Sequence, residues 1–234
     1  MRVLIDSDTI AFASAATAED TDEWIAHARA NEMVERIITA TGADDYELWL
    51  TGDGNFRYNI YPEYKANRLS QVPPKWYKST KQFLVKEWNA NWSEGCEADD
   101  MVGVRQMELK DSIISHIDKD IDTIPGWHHN WELTRQGKVI REARKYYLDD
   151  FEATKKFYYQ LIVGDPTDGI KGIPGKGPKA AEWILSGTNE VEWYQSVKEN
   201  YSSSEEMELN AQVLWIWRKM NDNVLERFNV LEQN

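Results

Sequence analysis

Three short apolar runs, Val3-Leu4-Ile5, residues 46–50 (YELWL) and residues 112–117 (SIISHI), constrain this chain more than anything else in it. Each is too short for a buried helix, and helical spacing lies before the second run (residues 21–41, stopped by Gly42) and before the third (99–109). Apolar strands alternating with helices imply a mostly parallel sheet covered on both faces. Aspartate follows each run: Asp6-Ser7-Asp8, then Asp53, then Asp118-Lys119-Asp120. One aspartate after a strand ordinarily caps a turn or helix. Three in succession put carboxylates outside the carboxyl ends of the strands, where an open parallel sheet binds its ligands.

Residues 164–179, GDPTDGIKGIPGKGPK, add two features side by side. Asp165 and Asp168 follow a run, 157–163, that reads as a buried helix. A turn too rich in glycine to be helical comes next, and Pro178 suits the first turn of another helix. Lys171, Lys176 and Lys179 lie here with no acid between Ile170 and Lys179. Outward backbone N–H groups at Gly172, Gly175 and Gly177 beside these lysines suit a phosphate backbone, gripped without reading base sequence. The plainer reading is an ordinary αα-hairpin.

A formal net charge of −13 argues against a polyanion partner, unless many of the acids are gathered around cations. Glu97-Ala98-Asp99-Asp100 packs three carboxylates into four residues. The helix dipole accounts for one or two of them; three repel one another unless cations are present. Between residues 55 and 90 the balance reverses, with seven bases (Arg57, Lys65, Arg68, Lys75, Lys78, Lys81, Lys86) against Glu63 and Glu87. Tyr58, Tyr61, Tyr64, Trp76 and other aromatics are interleaved, as suits a strand whose bases stack while cations track its phosphates. Lys81 and Lys86 read equally well as a solvated helix face.

Cys96 is the only cysteine, which excludes an intramolecular disulfide and a paired-cysteine zinc site. His116, His128 and His129 have no metal-ligand spacing and read as structural or solvent-exposed. Residues 131–142 read as a hairpin turning at Gln136-Gly137, and 202–234 as one or two helices. No signal-like or membrane-spanning run is present, so a soluble, intracellular chain is expected, one packed body without membrane contact.

Together these blocks resemble the 5′-nuclease superfamily of flap endonucleases, polymerase I 5′-nuclease domains and phage 5′→3′ exonucleases, and most of all the small replication exonucleases of podovirus-type phages. The blocks are residues 61–68 (YPEYKANR), 97–100, 118–120 and 164–177. The resemblance implies a PIN-like, resolvase-like α/β catalytic domain over 1–149 with a helical arch around 62–92. Residues 150–234 would form a helix–three-turn–helix (helix–hairpin–helix type) DNA-binding region and C-terminal helices. Asp6, Asp53, Glu97, Asp99 and Asp100 would surround one metal ion; Asp118, Asp120, Asp165 and Asp168 would hold the second, with Asp118 near both. Asp6, Asp118, Lys65 and Arg68 would be catalytic, with Lys65 reaching the scissile phosphate. Tyr64 would stack on the terminal base. Arg57, Lys75, Lys78, Lys171, Gly172, Gly175, Lys176, Gly177 and Lys179 would line the DNA path. The turn 172–177 would take K⁺ on its carbonyls.

Phosphodiester hydrolysis needs a water made nucleophilic near neutral pH and charge neutralised on both apical oxygens. Two Mg²⁺ or Mn²⁺ ions about 4 Å apart supply both, and hard oxygen ligands suit them. The implied partner is DNA at duplex 5′ ends or flaps, with RNA–DNA hybrids and replication proteins as further candidates. The implied state is a monomer in the cytoplasm, that of the host if the chain is phage-encoded. Two other readings compete. A haloacid-dehalogenase-type phosphatase would use Asp6-Ser7-Asp8 as nucleophile motif but leaves the basic segment and glycine turn without a role. A non-catalytic DNA-binding scaffold would bind without cleaving.

Overall fold

The computed structural model describes residues 1–135 and 138–233. Strand β1 (Arg2–Asp6) is followed by helices α1 (Asp8–Thr17) and α2 (Glu23–Thr41) and by β2 (Asp45–Thr51). Gly42 stops α2 in the left-handed conformation, where its N–H reaches the carbonyl of Ile38. After the single-turn helix α3 (Arg57–Ile60) come α4 (Tyr77–Trp88), β3 (Asn91–Ser93), α5 (Ala98–Glu108), β4 (Ser112–Ser115) and β5 (Gly126–Asn130). The hairpin expected over 131–142 is present as β6 (Leu133–Arg135) paired with β7 (Lys138–Arg141), while its turn at Gln136-Gly137 lies outside the described residues. Strand β8 (Arg144–Leu148) closes the first part of the chain.

The main sheet runs β3-β2-β1-β4-β5-β8, parallel except for the β5–β8 pair. Connections leave β1 toward β2 on one side and β4 on the other, so the crevice of the switch point opens at the carboxyl end of β1, at Asp6. Both faces are covered. Val3, Ile5, Leu48, Leu50 and Ile113 pack with Ile10, Val34, Ile37 and Leu84 of α1, α2 and α4. Leu4 and Ile114 face Val102 of α5 with Ile121, Ile124 and Ile216.

Helix α6 (Asp150–Val163) opens on a reciprocal capping box between Asp149 and Glu152. Two-residue strands β9 (Gly164–Asp165) and β10 (Ile170–Lys171) pair antiparallel, and α7 (Pro178–Ile184), α8 (Glu190–Asn200), α9 (Ser204–Leu214) and α10 (Val224–Leu231) follow. Close backbone approach explains two glycines. A Cβ on Gly164 would lie 2.3 Å from the Gly172 nitrogen, and one on Gly172 would lie 2.3 Å from the Ile162 oxygen. The C-terminal helices share a core rich in aromatics (Phe157, Tyr158, Trp193, Trp215, Phe228) that also takes in Tyr64, Cys96 and Val104 from the first part of the chain.

One structural expectation changes. The segment 62–92 is not a free-standing arch: α4 docks on α1 and α2, Leu84 is buried, and the Trp76 indole N–H donates to the Thr21 carbonyl at 3.0 Å. What spans the crevice is a short strap that carries the exposed side chains of Leu69 and Val72. Among the described residues no helix is long and apolar enough to cross a membrane.

Candidate active site

The strand ends deliver acids to one place. A cleft of about 550 Å³ is lined by Asp6 and Asp8 from the end of β1, Thr51 from the end of β2, Glu97 and Asp99 from the start of α5, and Asp118 from the loop after β4. Its other wall is Lys65, Arg68 and the strap residues Leu69, Gln71, Val72 and Pro73. Glu97 and Asp99 also line a small adjoining cavity with Asp120, Asp165 and Asp168. Eight carboxylates thus converge: Asp6, Asp8, Glu97, Asp99, Asp118, Asp120, Asp165 and Asp168.

Crowding and burial govern their protonation. Burial, with Asp8 and Asp118 nearby, lifts the Asp6 carboxyl to about 7. Burial and Asp118 lift Asp120 to about 8. Asp99 rises well above the carboxylate range through burial and its neighbours Asp100 and Glu97. Burial also acts against the charge on Glu97, but Lys65 and Arg57 outweigh it and hold Glu97 below its ordinary value. A pocket of oxygen donors that cannot all ionise unaided, with no sulfur or imidazole among them, fits hard divalent cations.

Lys65 enters with a left-handed backbone, φ 53°, unusual for a non-glycine residue. Its N–H donates to the Asp168 carbonyl at 2.9 Å, and its ammonium pairs with Glu97 and lies 3.6 Å from Asp168. Burial disfavours the charge, yet those two carboxylates win and raise the ammonium above its usual value. Arg68, which is exposed, pairs with Asp168.

Four assigned residues have other roles. Arg57 is not a DNA contact: it is 1% exposed and makes a bidentate pair with Asp100 at 2.6 and 2.8 Å. It also donates to the carbonyls of Val213 and Trp215. Asp100, fully buried, is therefore saturated and no metal ligand; it caps α5 and accepts the Trp217 N–H. Tyr64 cannot stack on a terminal base, because it is 3% exposed and its hydroxyl donates toward Glu97 (2.6 Å) and Asp168 (3.1 Å). Asp53 is exposed and outside the cleft, since β2 ends at Thr51 and the chain turns away through Gly54, φ 80°.

Two residues gain importance. Asp8 accepts the Thr51 N–H at 2.8 Å and pairs with Lys81 at 2.8 Å, tying α4 to the ends of β1 and β2. Lys81 is accordingly no solvated lysine; it also donates to the Thr51 carbonyl and lies over the rings of Tyr77 and Trp92. The Asp-Ser-Asp motif exposed Asp8 to view, whereas the sequence left Lys81 evenly poised between a phosphate contact and a solvated face and did not show its pairing with Asp8. Lys75, Lys78, Lys171, Gly175, Gly177 and Lys179 are exposed, and Lys176 and Gly172 partly so.

Fold and site define a doubly wound α/β protein with an acid-lined crevice at its switch point and a helix–turn–helix seated beside it. No protein-family model matches the chain. It is 28% identical over 219 residues to an exodeoxyribonuclease of Enterobacteria phage T3, covering 83% of this chain and 69% of the relative. It is 26% identical over 205 residues to an exonuclease of Escherichia phage T7, covering 78% and 66%. In fold it is similar to the flap endonuclease of bacteriophage T5 crystallised with DNA and metal ions, with TM-score 0.64, 16% identity and coverage of 99% and 95%. In sequence the chain is thus similar to phage exonucleases, and in fold to a phage flap endonuclease, as the resemblance of its motifs implies.

Proposed function

We propose that this chain is a divalent-metal-dependent 5′ nuclease that hydrolyses phosphodiester bonds in DNA, working 5′→3′ from an end or at a flap, with Mg²⁺ as the ion. The convergence of eight carboxylates on one cleft beside Lys65 carries this reading. Asp6, Glu97, Asp99 and Asp118 would hold one ion and Asp120, Asp165 and Asp168 a second. Such ions generate a nucleophilic water near neutral pH and neutralise charge on the attacking and leaving oxygens.

The remaining work falls to side chains. Lys65 swings from Glu97 and Asp168 onto the scissile phosphate, where its charge opposes the charge that develops on the non-bridging oxygens. Arg68 braces the same phosphate. Glu97, kept ionised by its cationic neighbours, is a ready ligand across the neutral pH range. The strap Leu69–Pro73 walls off the terminal nucleotide, and Leu69 and Val72 offer it apolar contact. Lys171, Lys176, Lys179 and the turn between them grip the duplex backbone behind the cleft, with Lys75 and Lys78 along α4 as outer phosphate contacts. K⁺ on the carbonyls of turn 172–177 would firm that grip.

The test is digestion of a 5′-labelled duplex, a 5′ flap and an RNA–DNA hybrid in Mg²⁺ and in EDTA, reading product lengths. Cleavage in Mg²⁺ that disappears in EDTA and in Asp165→Ala, while salt-sensitive DNA binding persists, supports the reading. Binding without cleavage of any of the three substrates overturns it in favour of a scaffold.

A further inference from the structure

Behind the loop that carries Asp118 and Asp120 lies a second polar cluster, buried and separate from the acid cleft. It gathers His116 from the segment after β4, Asp122 from the 3-10 turn Asp120–Thr123, and His128 from β5; all three are buried, with donor atoms within 4.8 Å of one another. The spacing 116, 122, 128 matches no ligand motif, because the three come from different elements and are brought together only by sheet pairing.

The hydrogen bonds fix which ring nitrogens carry protons. His116 Nδ1 is 2.6 Å from the Asp118 carbonyl and His128 Nε2 is 2.8 Å from the Ile124 carbonyl. A carbonyl oxygen only accepts, so both of those nitrogens donate. In neutral rings the other two, His116 Nε2 and His128 Nδ1, are bare lone pairs, and they face each other at 3.0 Å. Two acceptors at that distance need a positive particle between them.

Further oxygens surround the same point. Asp122 Oδ1 is 3.7 Å from His116 Nε2, and the Tyr146 hydroxyl is 3.4 Å from it. A tetrahedral ion with bonds of about 2.0–2.1 Å keeps its donors about 3.3 Å apart, between the 3.0 Å from His116 Nε2 to His128 Nδ1 and the 3.7 Å to Asp122 Oδ1. A backbone carbonyl behind each imidazole is also the usual outer support of a metal-bound histidine. A proton shared by the two nitrogens and balanced by Asp122 is the other possible occupant, and it would leave the site without bound cobalt.

We propose that His116, Asp122 and His128 form a structural centre for a zinc-class divalent ion, with Tyr146 holding the carboxylate in place. The Tyr146 hydroxyl donates to Asp122 Oδ1 at 2.6 Å, and Lys156 steadies Oδ2 at 3.3 Å. The centre pins the loop between β4 and β5 from behind, through the Asp118 carbonyl and the turn that begins at Asp120. It thereby sets the positions of two acids of the cleft without touching substrate. Its existence does not depend on the nuclease reading.

The full-length protein, stripped with chelator and loaded with CoCl₂, tests this. One equivalent of Co²⁺ with the intense visible bands of a tetrahedral, nitrogen-ligated ion is expected. The bands should persist in Asp165→Ala, which alters only the acid cleft, and vanish in His128→Gln with one ion lost per chain. Cobalt bound with only the faint spectrum of six oxygen ligands in the wild type overturns the proposal, even if the histidine variant fails to fold. So do bands that survive His128→Gln. Loss of DNA cleavage in Asp165→Ala is read separately, so the two ideas can fail independently.

Discussion

Arg57→Ala separates a structural role from a DNA-contact role at a residue whose charge and position in the basic segment suggested the latter. The guanidinium is buried against Asp100, with Glu97 3.6 Å away, and two of its N–H groups serve carbonyls at the end of α9 and just beyond it. Truncation leaves Asp100 as a buried, unpaired carboxylate, a loss of about 3–5 kcal/mol. The orphaned Val213 and Trp215 carbonyls add about 1–3 kcal/mol between them if water reaches one and not the other. Asp100 keeps the Glu97 and Trp217 N–H groups, which softens the total, so about 4 kcal/mol is the working figure. Urea denaturation followed by tryptophan fluorescence reads it as a lower midpoint. The double variant Arg57→Met, Asp100→Leu should recover much of the loss, because an apolar pair replaces a stranded charge. If Arg57→Ala unfolds at the wild-type midpoint and instead weakens DNA binding, the burial argument is wrong.

Three more outcomes follow from the site. For Asp6 and Asp120 the folded-state values, about 7 and about 8, lie above the unfolded value of about 3.9. The folded state thus holds protons that the unfolded state releases, and stability falls as pH rises from about 4 to 8, by at most about 4 kcal/mol for Asp6. In EDTA the Tm should drop between pH 5.5 and pH 8, and Mg²⁺ should restore more of it at pH 8; equal Tm values in EDTA at both pH values would contradict this. Lys65→Ala should slow single-turnover cleavage on the order of 100-fold with DNA affinity nearly unchanged, and an unaltered rate removes Lys65 from the chemistry. Asp53→Ala should cleave at close to the wild-type rate while Asp6→Ala does not; the reverse would return Asp53 to the cleft.

The parallel sheet was legible because three apolar runs too short for helices ended in aspartate; its order and the strands β3, β5 and β8 were not, since pairing is set by contacts far apart in the chain. Glu97, Asp99, Asp118, Asp120, Asp165 and Asp168 were legible for the same local reason, since a strand end or helix start fixes where a carboxylate points. Asp100 and Arg57 were not. Asp99 and Asp100 are adjacent, but on a helix that single step is about 100°, enough to turn one carboxylate into the cleft and the other into the core. A basic residue in a basic segment looks like its neighbours until the partner 43 positions away is seen. The histidine cluster was hidden by a longer version of the same effect. His116 and His128 belong to adjacent parallel strands and their flanks, and Tyr146 to an antiparallel edge strand that no periodicity announced. Charge balance is therefore decided by pairs that the fold assembles: Arg57 neutralises Asp100 in the core, while the acids of the cleft outnumber the cations that reach them, Lys65, Arg68, Lys81 and Lys119. That division, more than the net charge of −13, reconciles an acidic protein with a polyanionic substrate.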